Sequence, residues 1–269
     1  MHTGGGSDDA AVGATVGVAT ALEDLKARGS ALLVVGSVPE DVYARVSGCM
    51  LGDSSEDRRR LIVERGRSPD VRFSDVDRWT PEWTRILRCD VDARGSTAAG
   101  DPGASATGVG AQTPDAGPET PSGSDPRTAD RESRREVSET PGYPGTTTPA
   151  PDSIAKLGVE ISTAIDQLNS IAGGLEAAEL RVAFDCATSL LAEYDESAVF
   201  RFLHVLANDI RRVEGMGHVR LTKPYGAEIV ALLEPLFDAV VELRLDGTVP
   251  QQRWHFRDSD VTSEWLAVE

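Results

Sequence analysis

The sequence has few cysteines, few aromatic residues and no long apolar run. Of its 269 residues 3 are cysteines, and aromatic side chains make up 5%. The cysteines are odd in number and far apart, which argues against a disulfide framework or a zinc site and favours reduced thiols. The longest apolar run, residues 31–38, is far shorter than the roughly 18–20 residues of a membrane-spanning helix. Residues 1–10 lack the apolar stretch of a secretory signal, so we expect a cytoplasmic protein without a membrane span. The cysteines are Cys49, Cys89 and Cys186.

Lysine is nearly absent, and negative charge dominates. The 44 acidic residues outnumber the 27 basic ones, so the formal charge is −17, and the only lysines are Lys26, Lys156 and Lys223. Arginine in place of lysine on an acidic surface is typical of an extreme halophile, because in molar salt the Debye length is about 3 Å and self-repulsion costs little. An ordinary acidic protein is the alternative. The charge also argues against a nucleic acid partner, because acidic residues flank the basic run 58–60.

The composition changes sharply between residues 93 and 152. This segment is dominated by Gly, Pro, Ser, Thr, Asp and Ala, and it contains nine of the 15 prolines. It buries too little apolar area to offset an ordering entropy of about 1–2 kcal/mol per residue. We therefore predict disorder for residues 93–152, as for residues 1–14, and one domain built from residues 15–92 and 153–269 together. The segment is either a tolerated surface insertion, since a long loop costs little entropy, or a docking or modification tail rich in Ser and Thr.

Apolar runs alternate with stretches of helical spacing in the remaining chain. Residues 31–35 form a continuous apolar run, which is typical of a strand buried on both faces of a parallel sheet. The repeated strand–helix–strand order predicts an α/β fold with a mostly parallel sheet, helices on both faces and a C-terminal antiparallel hairpin. Predicted strands cover residues 31–35, 61–63, 86–89, 180–184, 218–221, 239–243 and 253–256; predicted helices cover 18–28, 42–50, 154–172, 199–213 and 229–237.

One strand and the helix after it carry a family resemblance. Residues 180–191 read LRVAFDCATSLL, an apolar strand that ends in Asp185 and is followed by Thr188 and leucines. This run resembles the Walker B strand of RecA-like ATPases, especially of the KaiC branch, and residues 199–210 and 232–243 extend the resemblance. The chain is similar to a group of haloarchaeal KaiC-like proteins with degenerate nucleotide sites. The resemblance covers nearly all of the predicted ordered parts and implies a RecA-like sheet with a site related to those for ATP and Mg²⁺.

The loop after the first strand lacks most of a phosphate-binding loop. Such a loop reads Gly-x-x-x-x-Gly-Lys-Ser/Thr, in which backbone amides surround phosphate oxygens, the lysine adds positive charge and the hydroxyl holds Mg²⁺. Residues 36–43 read GSVPEDVY, so Gly36 is present but the second glycine, the lysine and the Ser or Thr are not. Glu40 and Asp41 fall at the predicted helix start, where they stabilise the helix by about 0.3–1 kcal/mol and repel phosphate. We predict that this loop does not bind nucleotide; altered binding is the alternative.

Five residues make up the degenerate nucleotide site that the resemblance implies. Asp185 stands where the family holds Mg²⁺, although without the loop we expect it to accept hydrogen bonds from loop amides or Thr188. Glu64 lies near the position of a glutamate that activates water in KaiC-like ATPases, but Arg65 follows it, so we expect an ordinary surface ion pair. No catalytic residue and no metal ligand is assigned, and no cofactor is expected, with ATP and Mg²⁺ as the alternative. The five residues are Gly36, Ser37, Glu64, Asp185 and Thr188.

Other chemistry-bearing residues give weaker signals. His204, His218 and His255 have no ligand at metal-site spacing, so we expect core or surface histidines. No Gly-x-Ser-x-Gly motif is present, which removes support for a hydrolase triad. Near the C-terminus three apolar residues form either a sticky patch for a partner or packing onto a sheet edge. These three are Trp254, Trp265 and Leu266.

Two classes of function compete on these observations. The first is a non-catalytic RecA/KaiC-like domain that acts in regulation or signalling through contacts with a protein partner or with its own copies. The second is a divergent ATPase or nucleotide sensor with an unorthodox loop. A DNA-associated role, by analogy with recombinases, is a third reading that the charge disfavours. The lysine missing from residues 36–43 favours the first class.

Overall fold

The apolar run of residues 30–35 forms an interior strand of the sheet. All six of its residues are buried, as a parallel strand covered on both faces requires. The computed structural model describes residues 18–52, 56–65, 80, 82–89, 147–148, 153–259 and 261–268. The strands are β1 (Ser30–Val35), β2 (Arg59–Glu64), β3 (Thr84–Arg88), β4 (Thr147–Thr148), β5 (Leu180–Phe184), β6 (Met216–Leu221), β7 (Ala239–Asp246), β8 (Val249–Phe256), β9 (Val261–Thr262) and β10 (Leu266–Ala267).

These ten strands form a single sheet in the order β10-β8-β7-β1-β6-β5-β2-β3-β4, with β9 paired to β8. Strands β1 to β7 are parallel to their neighbours in that group. Strand β8 runs antiparallel to β7 and completes a hairpin, and β9 and β10 pair antiparallel with β8. The sheet joins both parts of the chain, because β1 pairs with β6 and β2 pairs with β5. The prediction of a mostly parallel α/β sheet with a C-terminal antiparallel hairpin is confirmed.

Helices cover both faces of the sheet. Alternate residues of β1 point to opposite faces, so Leu33 packs in the large core with α3, α5 and α6, whereas Val34 packs with α2 and Leu32 with α1. The helices are α1 (residues 18–28), α2 (Glu40–Leu51), α3 (Ile154–Ala172), α4 (Ala187–Glu193), α5 (Glu196–Arg212) and α6 (Glu228–Leu233), which continues as a 3₁₀ turn (Glu234–Leu236). None of the described helices combines the length and the apolar character needed to cross a bilayer.

Local sequence signals fix the ends of the long helices. Ser153 caps α3 by accepting a hydrogen bond from the backbone N–H of Lys156 at 3.3 Å, and Gly173 ends α3 in the left-handed conformation. Asp195 caps α5 by accepting from the N–H of Ala198 at 2.8 Å. Removing such a cap typically costs about 1 kcal/mol. The start of each helix is thus fixed by the chain immediately before it.

Some elements differ from the sequence-based expectation. Helix α4 and the two-residue strands β4, β9 and β10 were not predicted, because each is too short to show a hydrophobic period. The predicted disorder of residues 1–14 and most of that of residues 93–152 lie outside the described residues. Within the latter segment, Thr147–Thr148 form β4 beside β3.

Candidate functional site

The predicted site residues follow strands that end at one edge of the sheet. Gly36 and Ser37 follow β1, Glu64 ends β2, Asp185 follows β5, and Thr188 lies in α4 just beyond it. The connection after β1 passes through α2 on one face, whereas the connection after β6 passes through α6 on the other. Adjacent strands whose connections diverge in this way leave a crevice at their carboxyl ends, where α/β proteins bind ligands.

Gly36 is required by the close approach of a neighbouring strand. Its φ is +123°, and a Cβ atom built there would lie 2.2 Å from the carbonyl oxygen of Leu243 in β7. Its N–H donates to the carbonyl oxygen of Lys223 at 2.8 Å, so this amide is already used within the protein. A glycine at this position is therefore explained by packing and backbone conformation. Ser37 lies exposed in the loop that follows.

The start of α2 carries two carboxylates, as predicted. Glu40 and Asp41 form its first turn after Pro39 at the N-cap, and both are exposed. The Nη1 atom of Arg220 in β6 lies 2.7 Å from a carboxylate oxygen of Glu40. The Arg220 guanidinium also lies over the ring of Tyr43, with its Cζ atom 4.0 Å from the ring centroid. The Arg220 cation is thus engaged by an acid and an aromatic ring of α2.

Tyr43 fills the place of the hydroxyl residue of a phosphate-binding loop. Counted from Gly36, it stands at the final Ser/Thr position of the motif. Its side chain is buried, with 1% of its surface exposed, and its hydroxyl donates a hydrogen bond to Oδ1 of Asp185. The backbone N–H of Asp185 donates to the carbonyl oxygen of Val63 at 2.8 Å. The residue at the last position of the loop motif and the aspartate after β5 are therefore joined directly.

Thr188, which with loop amides was one of the two donors expected for Asp185, binds another residue. Its Oγ1 lies 2.8 Å from Oγ1 of Thr222 and accepts a hydrogen bond from the N–H of Thr222 at 2.9 Å. Thr222 follows β6, so this pair ties the beginning of α4 to the loop after β6. Thr188 is therefore not the donor to Asp185, because Thr222 is distant in sequence but adjacent to Thr188 across the sheet edge.

Glu64 forms a buried ion pair rather than a surface one. It is 2% exposed, and Nη1 of Arg88 in β3 lies 2.6 Å from its Oε1. The neighbouring Arg65 pairs instead with Glu193 of α4 at 2.9 Å. Alternation along β2 explains the difference, because successive side chains of a strand point in opposite directions. The Glu64 carboxylate is thus held by a neighbouring strand.

Two cysteines that sequence analysis treated as unremarkable lie beside this edge. Cys186 follows Asp185, and its thiol lies 3.7 Å from the carbonyl oxygen of Val63. A hydrogen bond with Cys89 and burial both raise the pKa of the Cys186 thiol. The thiol is therefore neutral near pH 7 and is a poor nucleophile. The adjacency follows from the parallel pairing of β2, β3 and β5 and has no sequence signature.

The histidines do not come together. His218 is buried and its Nε2 lies 2.8 Å from Oγ of Ser47, whereas His204 contacts Asn208 on the surface of α5. His255 stacks on Tyr225, with ring centroids 4.0 Å apart. In the described residues no group of three or more His, Cys, Asp or Glu side chains is arranged to hold a metal ion.

The polar groups described above at this edge of the sheet bond to other groups of the protein. The loop amide of Gly36, the cation of Arg220 and the carboxylates of Glu64 and Asp185 each contact another part of the protein. Sequence analysis missed Tyr43 and Arg220 as members of the site. The position of Tyr43 within the loop motif is a signal that could have identified it, whereas Arg220 has none.

A family model described as a family of unknown function (DUF7504) matches residues 29–243. This region is most of the chain, so the protein belongs to that family. The match includes every predicted site residue and the strands that position them. No curated protein matches the sequence.

Proposed function

We propose that this DUF7504 member is a non-catalytic RecA/KaiC-like domain that acts through protein contacts in regulation or signalling. The observation that carries the proposal is the hydrogen bond from Tyr43 to Asp185. It links Tyr43, at the hydroxyl position of the loop motif, directly to Asp185, which the resemblance to RecA-like ATPases aligns with their Mg²⁺-holding aspartate. The parallel pairing of β1 and β5 with β6 is consistent with the RecA-like reading, because it brings the loop after β1 and the end of β5 to the same edge.

Binding of ATP at this edge would have to break existing interactions. A triphosphate would face Glu40 and Asp41 without the lysine of the motif, and two like charges 4 Å apart near a protein surface repel by about 4 kcal/mol. Arg220 could serve a phosphate only by leaving Glu40. The Tyr43 ring would have to move for Mg²⁺ to reach Asp185. These costs favour a domain without nucleotide chemistry over a divergent ATPase.

Calorimetric titration of the full chain with Mg-ATP in multimolar KCl tests the first part of the proposal. We expect no heat of binding and no release of phosphate above the buffer rate. A triple variant, Asp41→Gly with Val42→Lys and Tyr43→Thr, rebuilds the motif residues and serves as the matched comparison. We expect this variant to gain Mg-ATP binding. Micromolar affinity in the unmodified chain would instead favour the nucleotide sensor.

Exposed apolar side chains near the C-terminus support the role of protein contacts. Leu245, Val249 and Leu266 on the β7–β8 hairpin and β10 are between 42% and 50% exposed. Trp265 lies between two guanidinium groups, with Cζ of Arg244 at 3.7 Å and Cζ of Arg253 at 4.5 Å from its ring. By contrast, Trp254 is partly buried and packs with the core beside α2.

Light scattering in multimolar KCl distinguishes self-association from binding to another protein. We propose that contacts of either kind use this hairpin, so Leu245→Ser with Leu266→Ser should weaken them. A dimer that the double variant dissociates supports self-association. If the chain is a monomer, the next experiment is affinity capture of a protein partner from native high-salt lysate, with and without residues 94–151. Capture that is unchanged by the double variant would argue against the hairpin.

A further inference from the structure

A cavity of about 400 Å³ lies between the sheet and helices α1 and α2. Its wall is formed mainly by apolar residues, among them Leu32 of β1, Val46 and Met50 of α2, and Trp254 of β8. This volume is within the range of roughly 300–1,000 Å³ found for small-molecule sites, which are also mainly apolar with a few polar groups. The cavity does not include the loop after β1, so it is separate from the edge described above.

Arg181 of β5 lines this cavity with a guanidinium that forms no ion pair with a carboxylate of the described residues. The residue is 7% exposed, and its Nη1 contacts the carbonyl oxygen of Met50 at 3.4 Å and the sulfur of Met216 at 2.8 Å. Its Nε is buried without a hydrogen-bond partner. Within the described parts of the chain, no carboxylate forms an ion pair with Arg181. Buried polar groups in native proteins nearly always have partners, so this one points to a partner that is not part of the wall.

The surroundings of Arg181 carry further positive charge. Burial, and then the nearby Arg58, lower the pKa of Arg181 to about 10, which still leaves it charged at neutral pH. The carboxylate of Glu56 lies 2.9 Å from Nε of Arg58. Arg60 is buried, and it donates to the carbonyl oxygens of Leu51, the last residue of α2, and of Gly52. Among the described side chains that act on Arg181, two arginines stand against one glutamate, and this excess of positive charge favours an anion at this position.

We propose that the cavity binds a small amphipathic carboxylate, with its anionic group at Arg181 and its apolar body against Leu32, Val46 and Trp254. A carboxylate matches the guanidinium, because its two oxygens accept two parallel N–H bonds from neighbouring nitrogens. Nε and Nη2 are two such nitrogens, and neither has a hydrogen bond with a described residue. Lys26 of α1 also lines the cavity but pairs with Glu23 at 3.0 Å, so a largely apolar wall with the buried Arg181 fits a monoanion better than a phosphate dianion. The inference does not depend on the proposed function.

Titration of the full chain with octanoate in multimolar KCl tests this proposal. We expect calorimetry to detect binding, and Arg181→Met to weaken it by roughly tenfold or more, because methionine keeps an apolar chain of similar length without the charge. Arg181→Lys should restore part of the affinity. Arg201→Met, at an exposed arginine of α5 that does not line the cavity, is the matched control and should bind as the unmodified chain does. Octan-1-ol, which lacks the carboxylate, should bind the unmodified chain and Arg181→Met equally.

Cys49 provides a second readout at the cavity itself. It lines the cavity and is exposed, whereas Cys89 and Cys186 are buried. Octanoate should therefore slow the reaction of the Cys49 thiol with a disulfide reagent in the unmodified chain but much less in Arg181→Met. Equal octanoate affinity in both proteins, or neither heat nor protection of Cys49, would overturn the proposal. If another segment of this chain fills the cavity, octanoate should give neither heat nor protection of Cys49. Circular dichroism establishes that each variant is folded.

Discussion

At its amino end, helix α2 lies against charged groups that are paired, whereas at its carboxyl end it lies against the buried guanidinium of Arg181, which pairs with no carboxylate that the structure describes. Glu40 contacts Arg220, Arg220 covers the ring of Tyr43, and the Tyr43 hydroxyl donates to Asp185. At the other end, the hydrogen-bond partners of Arg181 among the described residues are a main-chain oxygen and a sulfur. The first region satisfies its polar groups internally, and the second leaves one for a ligand.

The helix dipole and the strand period together account for this contrast. Acidic residues at the start of a helix and cations at its end are both favourable, and α2 has Glu40 at one end and Arg60 and Arg181 at the other. Alternate residues of β6 place His218 and Arg220 on the face beneath α2. Charge complementarity alone therefore explains why cations lie near the end of α2. It does not explain why Arg181 is buried without an acid.

The largest expected effect comes from Gly36→Ala at the paired end. The new Cβ would meet the Leu243 carbonyl oxygen at 2.2 Å, and a φ of +123° is strained for alanine. We expect the free energy of unfolding to fall by roughly 3–5 kcal/mol, measured by urea denaturation at constant KCl. Gly173→Ala is the control, because its φ is +75° but nothing lies within 4 Å of the added Cβ. It should cost only about 1 kcal/mol. Similar losses in both variants would show that packing against Leu243 is unimportant.

Much of this arrangement could be predicted from the sequence, and the limits are physical. The apolar run of residues 31–35 predicts β1, and the helical spacing after residue 154 predicts α3. Both elements can be predicted because burial determines which of their residues are apolar. The sequence also predicted that Gly36 and Asp185 follow the ends of strands. The partners of Asp185 and Glu40 were not, since Tyr43 and Arg220 are 142 and 180 residues away from them.

Errors in the predicted site have the same origin. Sequence proximity suggested Arg65 as the partner of Glu64, but Arg88 on the adjacent strand takes that role. Sequence proximity likewise suggested Thr188 for Asp185, although Thr188 binds a residue after β6. Side chains at a sheet edge choose partners across strands, and strand order cannot be obtained from local periodicity.

Replacing Arg181 and Arg220 one at a time tests the contrast between the two ends of α2 directly. Arg181→Met removes a buried charge without an anion, so we expect the free energy of unfolding to rise by roughly 1–2 kcal/mol in the absence of ligand. Arg220→Met removes contacts to Glu40 and Tyr43 and should lower it by roughly 1–2 kcal/mol. Both are measured by urea denaturation at the same KCl concentration. Changes of the same sign would contradict the distinction between the two ends of α2.

Tyr43→Phe should have an intermediate effect. It removes the hydroxyl that donates to Asp185 while keeping the buried ring against Arg220. We expect a loss of about 1–2 kcal/mol in unfolding free energy, because a partly buried carboxylate loses a donor. Tyr225→Phe is the matched control, since its hydroxyl lies 3.5 Å from Glu234 and should contribute little. A loss no greater than in this control would remove the observation on which the proposed function rests.

Glu40→Gln should have the smallest effect and should depend on salt. The Glu40 side chain is 45% exposed, so its ion pair with Arg220 is worth about 0–1 kcal/mol at low ionic strength. Raising KCl into the molar range shortens the Debye length to about 3 Å and should reduce the difference between the variant and the unmodified chain toward zero. Urea denaturation across a KCl series measures this difference. Because Arg220 also lies over Tyr43, the guanidinium stays in place without Glu40, and Mg-ATP should still not bind. A variant that gained ATP binding would show that this carboxylate alone keeps the edge closed to phosphate.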